Sequence, residues 1–164
     1  MKQPRLSAER ARELFSYDPV TGGLRWKIYK GPRAVAGTPA GHLTPKGYLR
    51  VKVDGDYKYV HRLVWLISSG AWPKEVIDHV DGNKANNRVE NLRDVTESTN
   101  QENRRTHNSN SATGLMGAYA EGDGYTSRIR VKGRQLNLGA FDTPEEAHQA
   151  YLTAKRELHA GCTI

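Results

Sequence analysis

The 164-residue sequence predicts an α+β fold of short elements: an N-terminal antiparallel sheet, a central unit of strand, loop, strand and helix, and a C-terminal three-stranded sheet packed on one helix. Three observations carry that prediction. Two segments of alternating apolar residues are each interrupted by a glycine-containing turn, at Asp54-Gly55-Asp56 and at Lys132-Gly133. Gly 16 and Pro 7 punctuate the chain too often for a long helical bundle. Thr143, Pro144 and Glu146 open a stretch with apolar residues at helical spacing.

A balance of 25 Lys+Arg against 18 Asp+Glu leaves a formal charge of +7 and a pI near 9.6, which points to a polyanionic partner. Residues 1–60 hold 12 Lys+Arg against 5 Asp+Glu, while the remainder is balanced, so the whole excess lies in that N-terminal region. A mean hydropathy of −0.74, with Leu63–Ile67 as the longest apolar run, excludes a membrane-spanning helix. Met1–Arg12 is charged and resembles no signal peptide, and a lone Cys162 excludes an internal disulfide or a cysteine-rich zinc site. A soluble, basic, cytosolic protein is expected.

In chain order, Ser7 is placed to cap a short helix with Ala11, Leu14 and Phe15 on one face, ended by Tyr17-Asp18-Pro19. The turn-rich DPVTGG leads into a strand with Leu24, Trp26 and Ile28 on one side and basic residues on the other. A three-residue loop at 54–56 would place Leu49, Val51, Val53, Tyr57 and Tyr59 on one face, leaving Arg50, Lys52 and Lys58 on the other as a docking surface for phosphates. His61–Ser69 reads as a helix with Gly70 at its C-terminus.

From Val76 to Asn103 the chain reads VIDHVDGNKANNRVENLRDVTESTNQEN, residue types that packing does not require. A strand at Val76–Val80, a long loop turned by Asp81-Gly82-Asn83, a strand at Leu92–Val95 and a helix capped by Thr96 or Ser98 place Asp78 and His79 on a strand facing a helix that carries Asn100. Such a set suits phosphodiester hydrolysis. Asp78 and Asn100 offer hard oxygen ligands for Mg²⁺ or Mn²⁺, His79 is a general base for water, and Asn91 is placed to hold the His79 imidazole or its strand.

HRLVW at 61–65, DHVDGNKANNRVENLR at 78–93 and VTESTNQEN at 95–103 together resemble the phage and intron-type HNH endonucleases, with their ββα-metal core. The resemblance implies Asp78 as the metal-ligating acid, His79 as the general base, Asn91 as the central asparagine and Asn100 as the second metal ligand. Asn100 stands where many members have histidine, which resembles the homing-type nickases and argues against zinc or nickel. YDPVTGGLRW and GHLTPKGYLRVKVDGDYKYVHR are similar to the N-terminal DNA-contacting sheet of that subgroup.

The polar run Thr106–Thr113 reads as a linker. Beyond it, Gly117–Ala120, Tyr125–Val131 and Arg134–Phe141 read as strands and Thr143–His159 as a helix with Ala147, Ala150, Tyr151, Ala154 and Leu158 in one stripe. A two-residue turn at Lys132-Gly133 pairs Ile129 with Leu136 and Ser127 with Leu138, and sets Arg128 beside Asn137 and Arg130 beside Gln135 on the opposite face. The run IRVKGRQLNLGAFDTPEEAHQAYLTAKRELHAG resembles the Apetala or ethylene-response-factor type DNA-binding domain, which implies Arg128, Arg130, Gln135 and Asn137 as DNA contacts.

The expected organisation is a basic DNA-contacting region at 1–60, a nuclease core at 61–105, a linker at 106–113 and a DNA-binding module at 114–164. The expected activity is Mg²⁺-dependent nicking of double-stranded DNA in the cytoplasm of a bacterial host, by a monomer, with a dimer as the alternative and without a membrane or small-molecule cofactor. The rival is a non-catalytic DNA-binding regulator on the same scaffold.

Overall fold

The computed structural model describes residues 6–164, so the first five residues of the charged N-terminal segment lie outside the described residues. The chain divides into two compact units, Met1–Thr96 and Glu97–Ile164. The run 106–113 therefore falls inside the second unit.

In the first unit, helix α1 (Ala8–Leu14) is capped by Ser7, whose hydroxyl accepts from Arg10 N at 3.1 Å, and it buries Ala8, Ala11 and Leu14. Strand β1 (Phe15–Asp18) pairs antiparallel with β2 (Gly23–Trp26). The Asp18 carboxylate closes their turn, accepting from Val20 N at 2.9 Å and Thr21 Oγ1 at 2.6 Å. A three-stranded sheet follows in the order β3 (His42–Leu43), β4 (Leu49–Val53), β5 (Asp56–Tyr59). Helix α2 (Val60–Ser69) ends at Gly70, whose left-handed φ of 80° lets its N–H reach Leu66 O. Strands β6 (Val76–His79) and β7 (Leu92–Val95) form an antiparallel pair, with a 3-10 turn at Val89–Asn91 just before β7. One core joins these pieces: Phe15, Leu24 and Trp26 from the first hairpin pack in the same cluster as Val51, Leu63, Ile77 and Leu92.

The β4–β5 hairpin corrects the expected register. Asp54 and Gly55 have φ of 46° and 91°, so the connection is a two-residue turn with both residues left-handed, and Val53 pairs with Asp56 instead of Tyr57. Arg50 lies opposite Tyr59 and Lys52 opposite Tyr57, whereas Lys58 lies opposite Val51 on the other face. The Arg50, Lys52 and Lys58 surface is thus split. Two tyrosines share the face of Arg50 and Lys52, with the Arg50 guanidinium 4.1 Å from the Tyr57 ring centre, while Lys58 pairs with Asp56 at 3.3 Å. The physical reason is that tyrosine rings serve as platforms for cations and need not follow the valines into the core.

In the second unit, helix α3 (Glu97–Glu102) precedes a sheet in the order β10 (Arg134–Phe141), β9 (Gly124–Val131), β8 (Ala118–Glu121), and helix α4 (Pro144–Leu158) closes the chain. Gly161 N donates to Glu102 Oε2 at 2.9 Å, and a Cβ at Gly161 would sit 2.2 Å from Thr99 O, so the chain end lies directly on α3. The α4 capping box forms as expected, with Thr143 Oγ1 accepting from Glu146 N and Glu146 Oε2 from Thr143 N. Two expectations shift. Leu138 is the extra residue of a bulge, so Ser127 pairs with Gly139. Leu158 is exposed while Lys155 is buried, its ammonium satisfied by the Arg104 carbonyl. Among the described residues no helix is long and apolar enough to cross a membrane.

Candidate active site

Strand pairing sets the first part of the site. Asp78 faces Arg93 across the β6–β7 ladder, and Arg93 Nε donates to Asp78 Oδ2 at 2.8 Å with Nη2 at 2.7 Å from the same oxygen. A carboxylate as buried as Asp78 requires a compensating charge, which Arg93 supplies. The sequence reading does not single out Arg93, although it is the residue opposite Asp78 in the register.

His79, next along β6, is buried, and its Nε2 lies 3.2 Å from Asn87 Oδ1. Asn87 is only 1% exposed, and its Nδ2 donates to Ala85 O at 3.3 Å, which assigns the amide so that oxygen faces the ring. The imidazole therefore donates through Nε2–H and carries its lone pair on Nδ1. Burial holds the His79 pKa below the usual histidine range, against the upward pull of the Asn87 hydrogen bond and the Asp81 and Asp78 carboxylates. The ring is neutral near pH 7.

The partner of the imidazole is thus Asn87, which in the sequence looks like half of a turn-forming pair. Asn91, expected to hold the imidazole or its strand, makes no hydrogen bond to the ring among those described; it holds the end of the strand and braces the loop. Its Oδ1 accepts from Asp81 N at 2.9 Å, its Nδ2 donates to Asp81 Oδ1 and Asn86 O at 2.9 Å each, and its carbonyl accepts from Val80 N at 2.9 Å. Burial raises the Asp81 pKa, but the hydrogen bonds from Asn86, Asn83 and Asn91 outweigh it and hold the carboxyl below its ordinary value. Nothing in a sequence with Asn83, Asn86, Asn87 and Asn91 in one loop says which amide meets the ring.

The first hairpin supports this loop from behind. The Tyr17 hydroxyl donates to Asn87 O at 3.3 Å and accepts from Val89 N at 2.8 Å. Gly22, at φ +72°, comes so close that a Cβ there would lie 2.7 Å from Arg88 N and 2.8 Å from Asn87 C.

A buried, neutral imidazole with a fixed tautomer beside a carboxylate is the arrangement a water-activating hydrolase needs. The family model described as HNH endonuclease matches residues 58–102, the segment that contains all of these groups except Tyr17 and Gly22. Protein 3.8 of Escherichia phage T7 is 35% identical over 102 residues, covering 60% of this chain and 83% of that protein. Residues 58–102 form an HNH endonuclease domain. No solved structure matches it.

The HNH assignment implies a divalent cation. Among the described residues no group of three His, Cys, Asp or Glu side chains is placed to hold a metal unaided. Asp78 and Asn100 nevertheless fit in type, since a carboxylate and an amide are hard oxygen donors that leave most of an octahedral shell to phosphate and water. Asn100 belongs to the other compact unit, on α3, so the first unit by itself brings together Asp78, His79, Asn87, Asn91 and Arg93.

Next to His79 lies an aromatic cluster. His61, the second residue of α2, is 6% exposed; it stacks on Tyr59 at 5.4 Å and 10°, contacts Tyr48 at 5.4 Å, and meets the His79 ring edge-on at 5.2 Å and 84°. Its Nδ1 is buried without a hydrogen-bond partner, a state that costs roughly 1–3 kcal/mol. Burial, reinforced by the nearby His79 and Arg62, pushes the His61 pKa down to about 3.

In the second unit, Arg128 lies beside Asn137 and Arg130 beside Gln135, as expected. Arg128 is held by both oxygens of Glu121 at 2.8 Å, and Asn137 Oδ1 accepts from Gly139 N at 3.0 Å. Arg130, Gln135 and Asn137 are exposed, and Arg128 is partly buried.

Proposed function

We propose that the chain is a divalent-metal-dependent DNA endonuclease that hydrolyses phosphodiester bonds one strand at a time. The observation that supports it most is the His79–Asn87 hydrogen bond, because it leaves the lone pair on Nδ1 of a neutral ring within the HNH-matched segment. His79 Nδ1 takes a proton from the attacking water, a role worth about 10²–10⁴-fold in rate. Asn87 holds the tautomer, Arg93 holds Asp78, and Asn91 holds the loop. Asp78 and Asn100 are the proposed metal ligands; a bound Mg²⁺ or Mn²⁺ would stabilise charge on the phosphorane and the leaving 3′ oxygen.

DNA contacts are proposed for two faces: Arg50 and Lys52 with Tyr57 on the first unit, and Arg130 and Gln135, flanked by Arg128 and Asn137, on the second. Lys58 drops out because its strand position turns it to the other side. The second unit is a three-stranded sheet packed on a helix, and it is proposed to read DNA as an Apetala-type module does.

The test is supercoiled plasmid with Mg²⁺. Nicked circles should accumulate, and His79→Ala should abolish them with DNA binding retained. Linear product without a nicked intermediate would refute single-strand cutting. Cleavage indifferent to His79→Ala would refute the role of His79, and DNA bound but left intact by the wild-type chain would leave a binding-only regulator.

A further inference from the structure

We propose that His61 is a second imidazole of the hydrolytic centre, its Nδ1 hydrogen-bonding the water whose proton passes to His79. The proposal rests on the nuclease reading above and adds to it a residue outside the DH pair and the asparagines.

Position comes first. The His61 ring meets the His79 ring edge-on at 5.2 Å, while Tyr59 stacks flat on His61 and Tyr48 contacts both histidines, at 5.4 Å from His61 and 6.1 Å from His79. His61 therefore has a fixed plane beside His79, the proposed general base. Chemistry comes second. In an aromatic cluster of this kind a phenyl ring would pack without an unpaired polar atom, yet the position holds an imidazole whose Nδ1 is buried and partnerless. A buried polar atom left unsatisfied beside a reactive group is the pattern expected of a site completed by its ligand. Charge comes third. His61 is neutral across the physiological range, so its ring nitrogens can donate or accept a hydrogen bond to water without repelling the proton arriving on His79.

One O–H bond of the water breaks and its proton goes to His79 Nδ1. The water oxygen forms the new bond to phosphorus, and the P–O3′ bond breaks with its electron pair on the 3′ oxygen, which takes a proton from solvent. His61 holds the remaining water geometry and is itself unchanged.

The experiment compares His61→Phe, His61→Asn and His61→Gln with the full-length wild type in single-turnover plasmid nicking, DNA binding and thermal unfolding, with His79→Ala alongside. The Phe variant should unfold no earlier than wild type and bind DNA equally, yet nick about 10²-fold more slowly. The Asn variant, whose amide falls where Nδ1 stood, should recover about tenfold over Phe, and the Gln variant, whose amide reaches the Nε2 position, should not. If the Phe variant folds poorly, the Asn-over-Gln contrast decides. A Phe variant that nicks at the wild-type rate, or Asn and Gln variants that are equally impaired, would overturn the role of His61 while the His79→Ala result leaves the nuclease reading standing. A wild-type chain that leaves DNA intact would overturn both.

Discussion

The polar cluster around His79 in the first unit and the β9–β10 sheet face in the second treat polar side chains in opposite ways. In the first, Asp78, His79, Asn87, Asn91 and His61 are all less than 9% exposed, and the first four are tied into hydrogen bonds with defined partners. In the second, Arg130, Gln135 and Asn137 stand on an exposed sheet face. Burial fixes tautomers and charge states, which chemistry needs; exposure leaves long side chains free to follow an irregular polyanion, which binding needs. Under the proposed function, the first unit carries the general base and its supports, and the second carries Asn100 and most of the DNA contacts.

Substitutions in either unit test that division. The largest effect is expected at His79, where Ala should lower nicking by about 10²–10⁴-fold without changing DNA affinity, as read by single-turnover cleavage and gel shift. Substituting Asn87 with Ala should reproduce much of that loss, since it frees the tautomer, whereas Asn91→Ala should act mainly on the melting temperature of the loop's unit.

Next in size is Gly22→Ala. It combines a left-handed φ of +72° with a Cβ 2.7 Å from Arg88 N, so unfolding should become easier by about 1–3 kcal/mol and nicking should slow, with binding by the second unit intact. Denaturant titration and cleavage rates together check it. Replacing Arg130 and Gln135 by Ala should do the reverse, weakening binding with little change in the nicking rate of saturated enzyme. Smaller still, Arg50→Gln with Lys52→Gln should flatten the salt dependence of binding by about 0.9 log unit for each phosphate that is no longer neutralised, and Lys58→Gln should leave it unchanged.

The last effect is on acid stability. His61 is neutral in the fold, with a pKa of about 3, and an unfolded histidine has the ordinary value of 6.5. The unfolded chain therefore binds more protons between these values, so His61 contributes full stability above pH 6.5 and loses it as the pH falls toward 3. Chemical denaturation of wild type across pH 7 to 4 should show a falling unfolding free energy, and His61→Phe should make that fall shallower.

Two hairpins show how far the sequence reaches. At Lys132-Gly133 the apolar alternation and the turn agree, and Arg128, Arg130, Gln135 and Asn137 fall on the expected face. At Asp54-Gly55 they conflict. Keeping Tyr57 and Tyr59 with the valines requires a three-residue loop, but the Asp-Gly pair adopts the two-residue form and the tyrosines side with the cations. Turn chemistry prevails over hydrophobic grouping because tyrosine is satisfied on either side of a sheet. The same division runs through the candidate site. Asp78 and His79 are legible because their types and adjacency suit only a few chemistries. Arg93 is hidden because its part depends on strand register, Asn87 because four asparagines compete within one loop, and His61 because its ring meets His79 only once α2 is packed.

The support that the first hairpin gives to Asn87 bears on how this protein can be taken apart. The family-matched segment begins at residue 58, but Tyr17 and Gly22 lie well before it, and Phe15, Leu24 and Trp26 complete the core that Ile77 and Leu92 need. A transplant of residues 58–102 alone would carry every proposed reactive group yet leave the Val89 amide and the Asn87 carbonyl without their Tyr17 partner. The portable unit begins with α1, and a graft made at the family boundary would inherit the chemistry's residues without the scaffold that holds them still.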